Sequence, residues 1–329
     1  MTRAGCRWGT DYLLKCHVSE HELYGQVGSP ELDHAVWTRP EDSEAARPAH
    51  SISRDRPGAD LAAETAAAMA AASFLLARDT EYSAELARRA AQLYELAVAR
   101  PGRYHEVIPG AASSYPSTDW RDEVAWAAAW LHLATEEPRY LAAAEAWHRN
   151  SSGAGAGPGA GEFSWDDKGP GVSLLLAMVT GAGRYGRQVE DYCEGVARRP
   201  RSPRGLVLLS TWGSLRHAAN AAFLCLVAAR LGLGDTAAYT ALSRQQLDYM
   251  LGLGGGEGAR SFVVGNMARV HTCPHVSGDG AVSRLRSEPA PAAAPRRLLL
   301  PPGPRPLRLV SPHPARPQPP GVQPQYLVI

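Results

Sequence analysis

The chain has 329 residues and a formal net charge of +1, so its charge gives no reason to expect a nucleic acid or an anionic membrane as a partner. Apolar residues make up 45% of the sequence, which is typical of a globular protein with a sizeable core, and no apolar run is long enough to span a bilayer. The 5 cysteines are scattered without a CxxC pair, so we expect neither a zinc site nor a disulfide framework.

Helical periodicity runs through most of the chain. We predict helices at residues 61–76, 82–99, 123–134, 140–148, 172–179, 215–231 and 236–251. The 82–99 helix is amphipathic, whereas the 123–134 helix (EVAWAAAWLHLA) is apolar on nearly every side and must be enclosed by other helices. Two concentric helical layers require enclosed inner helices to alternate with amphipathic outer helices. No period-2 strand series competes with this pattern. We therefore predict an all-α fold, a helical barrel.

Two segments interrupt the helical pattern. Residues 153–161 (GAGAGPGAG) form a Gly/Ala loop that lacks the Lys-Ser/Thr of a phosphate loop. From about residue 276 the chain is rich in Pro and Arg, which prevents helices and leaves no apolar period. We predict a barrel domain over residues 1–275 and a disordered tail over residues 276–329. The alternative is that the tail is not authentic coding sequence.

Polar and aromatic residues cluster directly before the predicted apolar helices. These residues are Asp60, then Thr118, Asp119, Asp122 and Glu123, then Trp165, Asp166 and Asp167, and finally Trp212 and Arg216. Helix capping explains short polar and acidic residues at such positions. It does not explain the tryptophans, because an indole cannot cap a helix. Exposed indole rings beside charged groups suit a sugar cleft, where the ring stacks on pyranose C–H groups, and the alternative from spacing alone is that these are ordinary core tryptophans.

Consecutive blocks of the sequence resemble glycoside hydrolase family 9, the cellulase-type endo-β-1,4-glucanases. The blocks are residues 8–15 (WGTDYLLK), 23–28 (LYGQVG), the 32–42 loop (LDHAVWTRPED), 57–72, 114–134 (SYPSTDWRDEVAWAAAWLHLA), 163–168 (FSWDDK), 210–223 (STWGSLRHAANAAF) and 247–252 (LDYMLG). They follow the family order from residue 8 to about residue 270.

The resemblance implies an (α/α)6 barrel, incomplete in this chain, with a β-1,4-glucan cleft at the N-terminal ends of its inner helices. It implies substrate-binding roles for His34, Trp37, Arg39, Tyr115, Trp165, Trp212, Arg216 and His271. It also implies a structural Ca²⁺ site at Thr118, Asp119, Asp122, Glu123 and Asp167, with capped helix ends and surface acids as the alternative. No cofactor is required, and the family implies a secreted protein, although residues 1–8 lack a signal-peptide core.

The two catalytic carboxylates of the family are missing from the matched blocks. An inverting glycosidase needs an aspartate base and a glutamate acid. The family's Asp-Ala-Gly-Asp block would precede residue 8, and residues 1–7 (MTRAGCR) do not contain it. The Asn-Glu block should follow the match that begins at His271, and it is absent there. We expect a chain that is truncated at its N-terminus, divergent at its C-terminus and inactive as a glucanase. It is either a partial record of an active secreted cellulase or a non-catalytic β-glucan-binding remnant.

Two metal motifs offer rival interpretations. His17, Glu20 and His21 match the H-x-x-E-H pattern of some zinc peptidases, which requires both histidines on one face of a helix. Residues 271–275 (HTCPH) are rich in soft metal ligands. Both compete poorly with the family resemblance, since the first motif occupies a family position and the second adjoins the predicted tail.

Overall fold

The computed structural model of the protein describes residues 3–35, 46–151, 162–253 and 261–263. Helices dominate these ranges. They are α1 (Arg3–Cys16), α2 (Pro30–Ala35), α3 (Ala59–Leu75), α4 (Thr80–Ala99), α5 (Arg121–Thr135), α6 (Pro138–Asn150), α7 (Gly169–Thr180), α8 (Gly183–Arg198), α9 (Ser214–Arg230) and α10 (Thr236–Leu251). Strands β1 (His17–Ser19), β2 (Glu22–Val27) and β3 (Ala49–Ser53) form one antiparallel sheet.

The helices α3 to α10 pack as successive hairpins. The pairs α3–α4, α5–α6, α7–α8 and α9–α10 are each joined by a short connection, and α3 packs on α5, α5 on α7, and α7 on α9. Each short connection reverses the chain direction, so α3, α5, α7 and α9 begin at the same end of the assembly. This arrangement confirms the predicted all-α barrel, with these four helices on the inside.

Alanine-rich composition explains why the inner helices can pack so closely. Helix α3 buries residues on nearly every face, and α5 buries an unbroken run from Asp122 to Ala125. Small side chains let helix axes approach one another, and a helix that is apolar all round is stable only when enclosed. The outer helices differ, because α4 and α8 each bury one stripe and expose the opposite face.

The helix predictions were confirmed for seven of these ten helices, and α1, α2 and α8 were missed. Helix α8 carries glycines at Gly183, Gly186 and Gly195, which weaken helix propensity and hide its pattern. Packing against α7 and α9 supplies the missing stability.

The expectation that no strands are present was wrong for residues 17–53. In β2, buried Leu23 is flanked by more exposed neighbours, and its register partner Ile52 in β3 is buried as well. The strands are short, so their period-2 signal is weak in the sequence. Ile52 also lies against the position of Gly58, just before α3, so the sheet helps to position the start of that helix.

The expectation of no disulfide was also wrong. Cys193 in α8 and Cys225 in α9 are both fully buried and form a disulfide. The two residues are separated by 32 positions, and only the packing of α8 against α9 brings them together. Sequence spacing carries no signal for such a pair.

Several sequence predictions lie outside the described residues. They are the 153–161 loop, the boundary at residue 275, the 276–329 tail and the 271–275 motif. Among the helices in the described ranges, none combines the length and apolar character needed to cross a membrane.

Candidate functional site

The loop between α4 and α5 covers the N-terminal end of α3. Asp60, in the first turn of α3, accepts hydrogen bonds from the backbone N–H of Leu61 at 2.8 Å and of Tyr104 at 3.0 Å. The Tyr104 hydroxyl donates to the carbonyl of Tyr115 at 2.7 Å. Asp60 therefore does more than the capping role considered from the sequence, because it anchors the loop that presents Tyr115.

A second loop, between α6 and α7, meets the first one. Both oxygens of Asp166 accept hydrogen bonds from Thr118, one from its backbone N–H at 2.8 Å and one from its hydroxyl at 2.9 Å. The rings of Tyr115 and Trp165 then meet edge to face, with their centroids 5.4 Å apart. Both rings remain substantially exposed. The structure thus brings together two of the predicted substrate-binding residues.

The N-terminal end of α9 presents Trp212 and Arg216. The Trp212 side chain is 77% exposed, and Arg216 is exposed in the first turn of α9. The amide of Asn220 donates to the carbonyl of Phe163 at 3.0 Å, so the loop that carries Trp165 is tied to α9. We call Tyr115, Trp165 and Trp212 the aromatic rim.

The aromatic rim has the chemistry of a carbohydrate surface. Exposed aromatic rings carried by neighbouring loops are typical of ligand-binding surfaces, and the flat faces of indoles match the C–H faces of pyranose rings. Each rim residue lies directly before an inner helix, at the end of the assembly where α5, α7 and α9 begin. Arg216 adds a charged donor that can bond sugar hydroxyls.

Three acidic residues of the predicted calcium site are buried beneath these loops, namely Asp119, Asp122 and Glu123, whereas Asp167 is partly buried. The Oδ1 atom of Asp119 accepts hydrogen bonds from the backbone N–H groups of Trp120 and Arg121 and from the Arg121 guanidinium. It therefore satisfies backbone donors at the start of α5. The Oδ2 atom of Asp122 accepts from the backbone N–H of Lys168 at 2.6 Å. Asp122 therefore joins α5 to the start of α7.

Burial raises the pKa of three of these carboxyl groups. Burial is the largest cause for each group. It raises the pKa of Asp122 to about 6 and that of Asp167 to about 6. For Glu123 burial and the adjacent Asp122 charge raise the pKa to about 11. Carboxylates this deeply buried need a cation or a proton to offset the lost hydration.

As charged carboxylates, Asp122 and Glu123 leave two oxygens without a hydrogen-bond partner, namely Oδ1 of Asp122 and Oε2 of Glu123. A proton on Glu123 instead lets the two side chains share a hydrogen bond. Unpartnered buried carboxylate oxygens are the chemistry that a hard cation such as Ca²⁺ uses. Lys168, a buried cation at the start of α7, donates to the Ser164 carbonyl at 2.6 Å and lies 3.3 Å from Glu64. Within the described ranges, no three His, Cys, Asp or Glu side chains converge as metal ligands, so a Ca²⁺ ion held by Asp122 and Glu123 would need hydroxyl and backbone oxygens as further ligands.

The zinc-peptidase interpretation was wrong. His17 begins β1 and is only 1% exposed, whereas His21 lies exposed in the turn between β1 and β2. The motif needs both imidazoles on one helical face, and a strand followed by a turn cannot provide it. Glu20 instead accepts a hydrogen bond from Gln92 in α4.

Four of the predicted substrate-binding residues cannot be placed. Trp37, Arg39 and His271 lie outside the described residues, as does the side chain of His34 at the end of α2. The sequence prediction in turn missed Tyr104 and His105, which support the rim through the backbone of Tyr115 and of Ser117. No local pattern marks them, because their roles come from contacts between loops.

Comparison with known proteins gives a consistent relationship. A sequence model of glycosyl hydrolase family 9 matches residues 2–301. Endoglucanase 15 of Arabidopsis thaliana is 37% identical over 318 residues, covering 88% of this chain and 63% of the relative. Endoglucanase B of Cellulomonas fimi is 38% identical, covering 82% of this chain and 27% of the relative. The chain thus spans less than two thirds of the length of these relatives.

Solved structures agree with the sequence relatives. The endoglucanase of the termite Nasutitermes takasagoensis superimposes with a TM-score of 0.74 at 44% identity, covering 79% of this chain and 59% of that one. A cellulase of C. cellulolyticum in complex with cellobiose superimposes with a TM-score of 0.74 at 28% identity, covering 82% of this chain and 62% of that one. These neighbours are (α/α)6 barrels, the predicted architecture. The chain therefore belongs to glycosyl hydrolase family 9.

Proposed function

We propose that the chain binds β-1,4-glucan along the aromatic rim and Arg216, as part of a family of endoglucanases. The observation that carries this proposal is the exposure of three aromatic rings in loops that precede the inner helices. Family membership supports the choice of ligand, as does the cellobiose complex of a structural relative. Stacking of indole and phenol rings on sugar faces would supply most of the affinity, with Arg216 orienting the hydroxyls.

We further propose that a polypeptide of these 329 residues binds glucan without hydrolysing it. Inversion needs a carboxylic acid and a carboxylate on opposite sides of the scissile bond. Asp122 and Glu123 are each only 2% exposed, so neither can contact a glucan. Both oxygens of Asp166 are occupied by Thr118. Cleavage needs a proton donor and a base that reach the bound sugar, and among the described residues Asp122, Glu123 and Asp166 supply neither.

Retention on amorphous cellulose tests this function, with reducing-sugar release from carboxymethylcellulose measured on the same preparation. We expect the wild-type chain to be retained and Trp212→Ala to be largely lost to the supernatant. Trp8→Ala is the matched control, because Trp8 is 80% exposed on α1, outside the rim loops. Equal retention of both variants would contradict the rim as the binding surface. Sugar release well above a Trp212→Ala sample would contradict the absence of hydrolysis.

An extracellular location is also proposed. The buried Cys193–Cys225 disulfide supports it, since disulfides form and persist in oxidising compartments. Expression in an oxidising and in a reducing host, followed by free-thiol titration, tests the proposal. Full reduction of both cysteines in the protein purified from its natural source would contradict it.

A structural Ca²⁺ ion is the second proposal for this region. The orphan oxygens Oδ1 of Asp122 and Oε2 of Glu123 support it, together with the Thr118 hydroxyl nearby in sequence. The ion would offset the buried negative charge and fix the start of α5 against the loop before α7.

Thermal unfolding with added Ca²⁺ and with a chelator tests the calcium proposal. We expect Ca²⁺ to raise the Tm of the wild-type chain and to have no effect on Glu123→Gln. Glu64→Gln is the control, because Glu64 contacts Lys168 and its side chain is about half exposed. The same Tm in Ca²⁺ and in chelator would contradict the proposal.

A further inference from the structure

The side chain of Arg216 is held close to the backbone at the start of α9. Gly213, the residue before this helix, has a positive φ of 63°, and its carbonyl accepts from the Arg216 N–H at 3.0 Å. A β-carbon at position 213 would lie 2.9 Å from Nε of Arg216. The positive φ favours glycine here, and a β-carbon at this position would displace the flexible Arg216 side chain.

The next residue, His217, also contacts the Arg216 side chain. The Arg216 Nε–H donates to Nε2 of His217 at 3.2 Å. His217 is buried, whereas Arg216 is exposed, so a solvent-facing cation rests on a buried acceptor. Because Nε2 accepts, the neutral ring carries its proton on Nδ1.

A carboxylate faces the opposite nitrogen of the ring. Oε2 of Glu162 lies 2.9 Å from Nδ1 of His217, in a bent approach that is not a well-aligned hydrogen bond. Its negative charge favours the proton on Nδ1 and leaves Nε2 free to accept. Glu162 comes from the loop that carries Trp165, so this contact also links that loop to Arg216.

We propose that His217 is a positioning residue that orients the Arg216 guanidinium toward bound glucan, with Glu162 setting its tautomer and Gly213 providing the space. This inference rests on the proposed glucan-binding function. His217 itself does not contact sugar, since it is buried beneath Arg216. Its effect on binding passes through Arg216.

Two polar substitutions at His217 distinguish the roles of its two ring nitrogens. Gln at position 217 places its amide oxygen where Nε2 lies and can accept from Arg216, whereas Asn reaches only the level of Nδ1. We expect His217→Gln to keep the affinity for cellohexaose within about twofold, and His217→Asn to lower it about tenfold, since a hydrogen bond to a charged group is lost. Calorimetric titration measures both, and the Tm of each variant confirms folding.

A double-mutant cycle shows whether His217 acts through Arg216. In an Arg216→Ala background we expect His217→Asn to cause no further loss of affinity. Gly213→Ala gives a second route to the same point, because its β-carbon displaces Arg216 without changing the histidine. It too should weaken binding in the wild-type background and add nothing to Arg216→Ala, and its Tm reports separately the strain of alanine at a positive φ.

The outcomes separate this inference from the proposed function. If Trp212→Ala abolishes binding while Arg216→Ala and His217→Asn leave it unchanged, the rim function stands and the inference is overturned. A further loss on adding His217→Asn to Arg216→Ala also overturns it, because His217 would then act on the fold. If Trp212→Ala leaves binding unchanged, the proposed function fails and the inference fails with it.

Discussion

The ring of Trp165 meets the ring of Tyr115 edge to face, with 5.4 Å between centroids, and each comes from a different loop. The contact depends on two loop-to-loop supports. Tyr104 holds the Tyr115 carbonyl, and Thr118 holds Asp166 beside Trp165. The exposed surface at this end of the helices is therefore one unit built from separated parts of the chain.

The Tyr115 ring should contribute to glucan affinity through Trp165. We predict that Tyr115→Ala lowers the affinity for cellohexaose by about three- to tenfold, because an edge-to-face aromatic pair is worth about 0.5–1.5 kcal/mol. Tyr115→Phe keeps the ring and should bind as wild type. Calorimetric titration of both variants measures the difference, and an equal loss in the two would point to the hydroxyl instead.

Asp60 should be important for stability because it holds the loop over α3. We predict that Asp60→Ala lowers the free energy of unfolding by about 1–3 kcal/mol, since the buried N–H of Tyr104 loses its acceptor. Asp55→Ala is the control, because Asp55 is almost fully exposed and its 3.7 Å ion pair with Arg100 contributes little. Urea unfolding measures both. Equal free energies of unfolding for the two variants would show that the Tyr104 amide does not depend on Asp60 as its acceptor.

His17 should make the protein less stable in acid. Burial, aided by Arg89 and Arg88, lowers the pKa of His17 from 6.5 to about 4 in the folded chain. Between pH 4 and pH 6.5, His17 therefore binds more protons in the unfolded chain than in the folded chain. The contribution of neutral His17 to the free energy of unfolding is complete above pH 6.5 and is lost as the pH falls toward 4.

Neither ring nitrogen of His17 has a hydrogen-bond partner, so Phe at this position loses no bond. We predict that His17→Phe raises the Tm near pH 5 and reduces its fall between pH 7 and pH 4. His21→Phe, in the exposed turn, is the control. Thermal unfolding over this pH range measures the change. If His17→Phe kept the wild-type pH dependence, another group would be responsible.

The Cys193–Cys225 disulfide should stabilise the α8–α9 pair. We predict that the double variant Cys193→Ser, Cys225→Ser loses about 4 kcal/mol in the free energy of unfolding, as expected for a closed loop between residues 32 positions apart. A reducing agent should lower the Tm of the wild type and leave that of the double variant unchanged. Cys6→Ser, which removes a free thiol in α1, is the control.

The sequence was sufficient to predict the main helices because their apolar periodicity is strong and local. Helices α3 and α5 were predicted to within 2 residues at each end, since Ala-rich segments leave few alternatives. The small sheet and α8 depend on partners elsewhere in the chain. Short strands and glycine-containing helices carry a weak local signal, and the disulfide carries none.

The candidate site was predictable only in part. Trp165 and Trp212 could be selected as exposed aromatics beside helix starts, whereas Tyr115 was expected only from the family resemblance, and all three side chains are exposed. The supports beneath them could not be predicted, because Thr118 and Asp166, or Asp60 and Tyr104, meet only once the loops are folded. His217 follows Arg216 in the sequence, but its burial beneath Arg216 depends on how α9 packs.

We propose that this chain binds β-1,4-glucan at the aromatic rim and does not cleave it. Calorimetric titration of the 329-residue chain with cellohexaose tests both parts at once, with Trp212→Ala and Trp8→Ala in parallel. We predict saturable binding heat for the wild type and Trp8→Ala, none for Trp212→Ala, and a steady baseline after each injection. A sustained heat of hydrolysis, or saturation by Trp212→Ala equal to the wild type, would contradict the account.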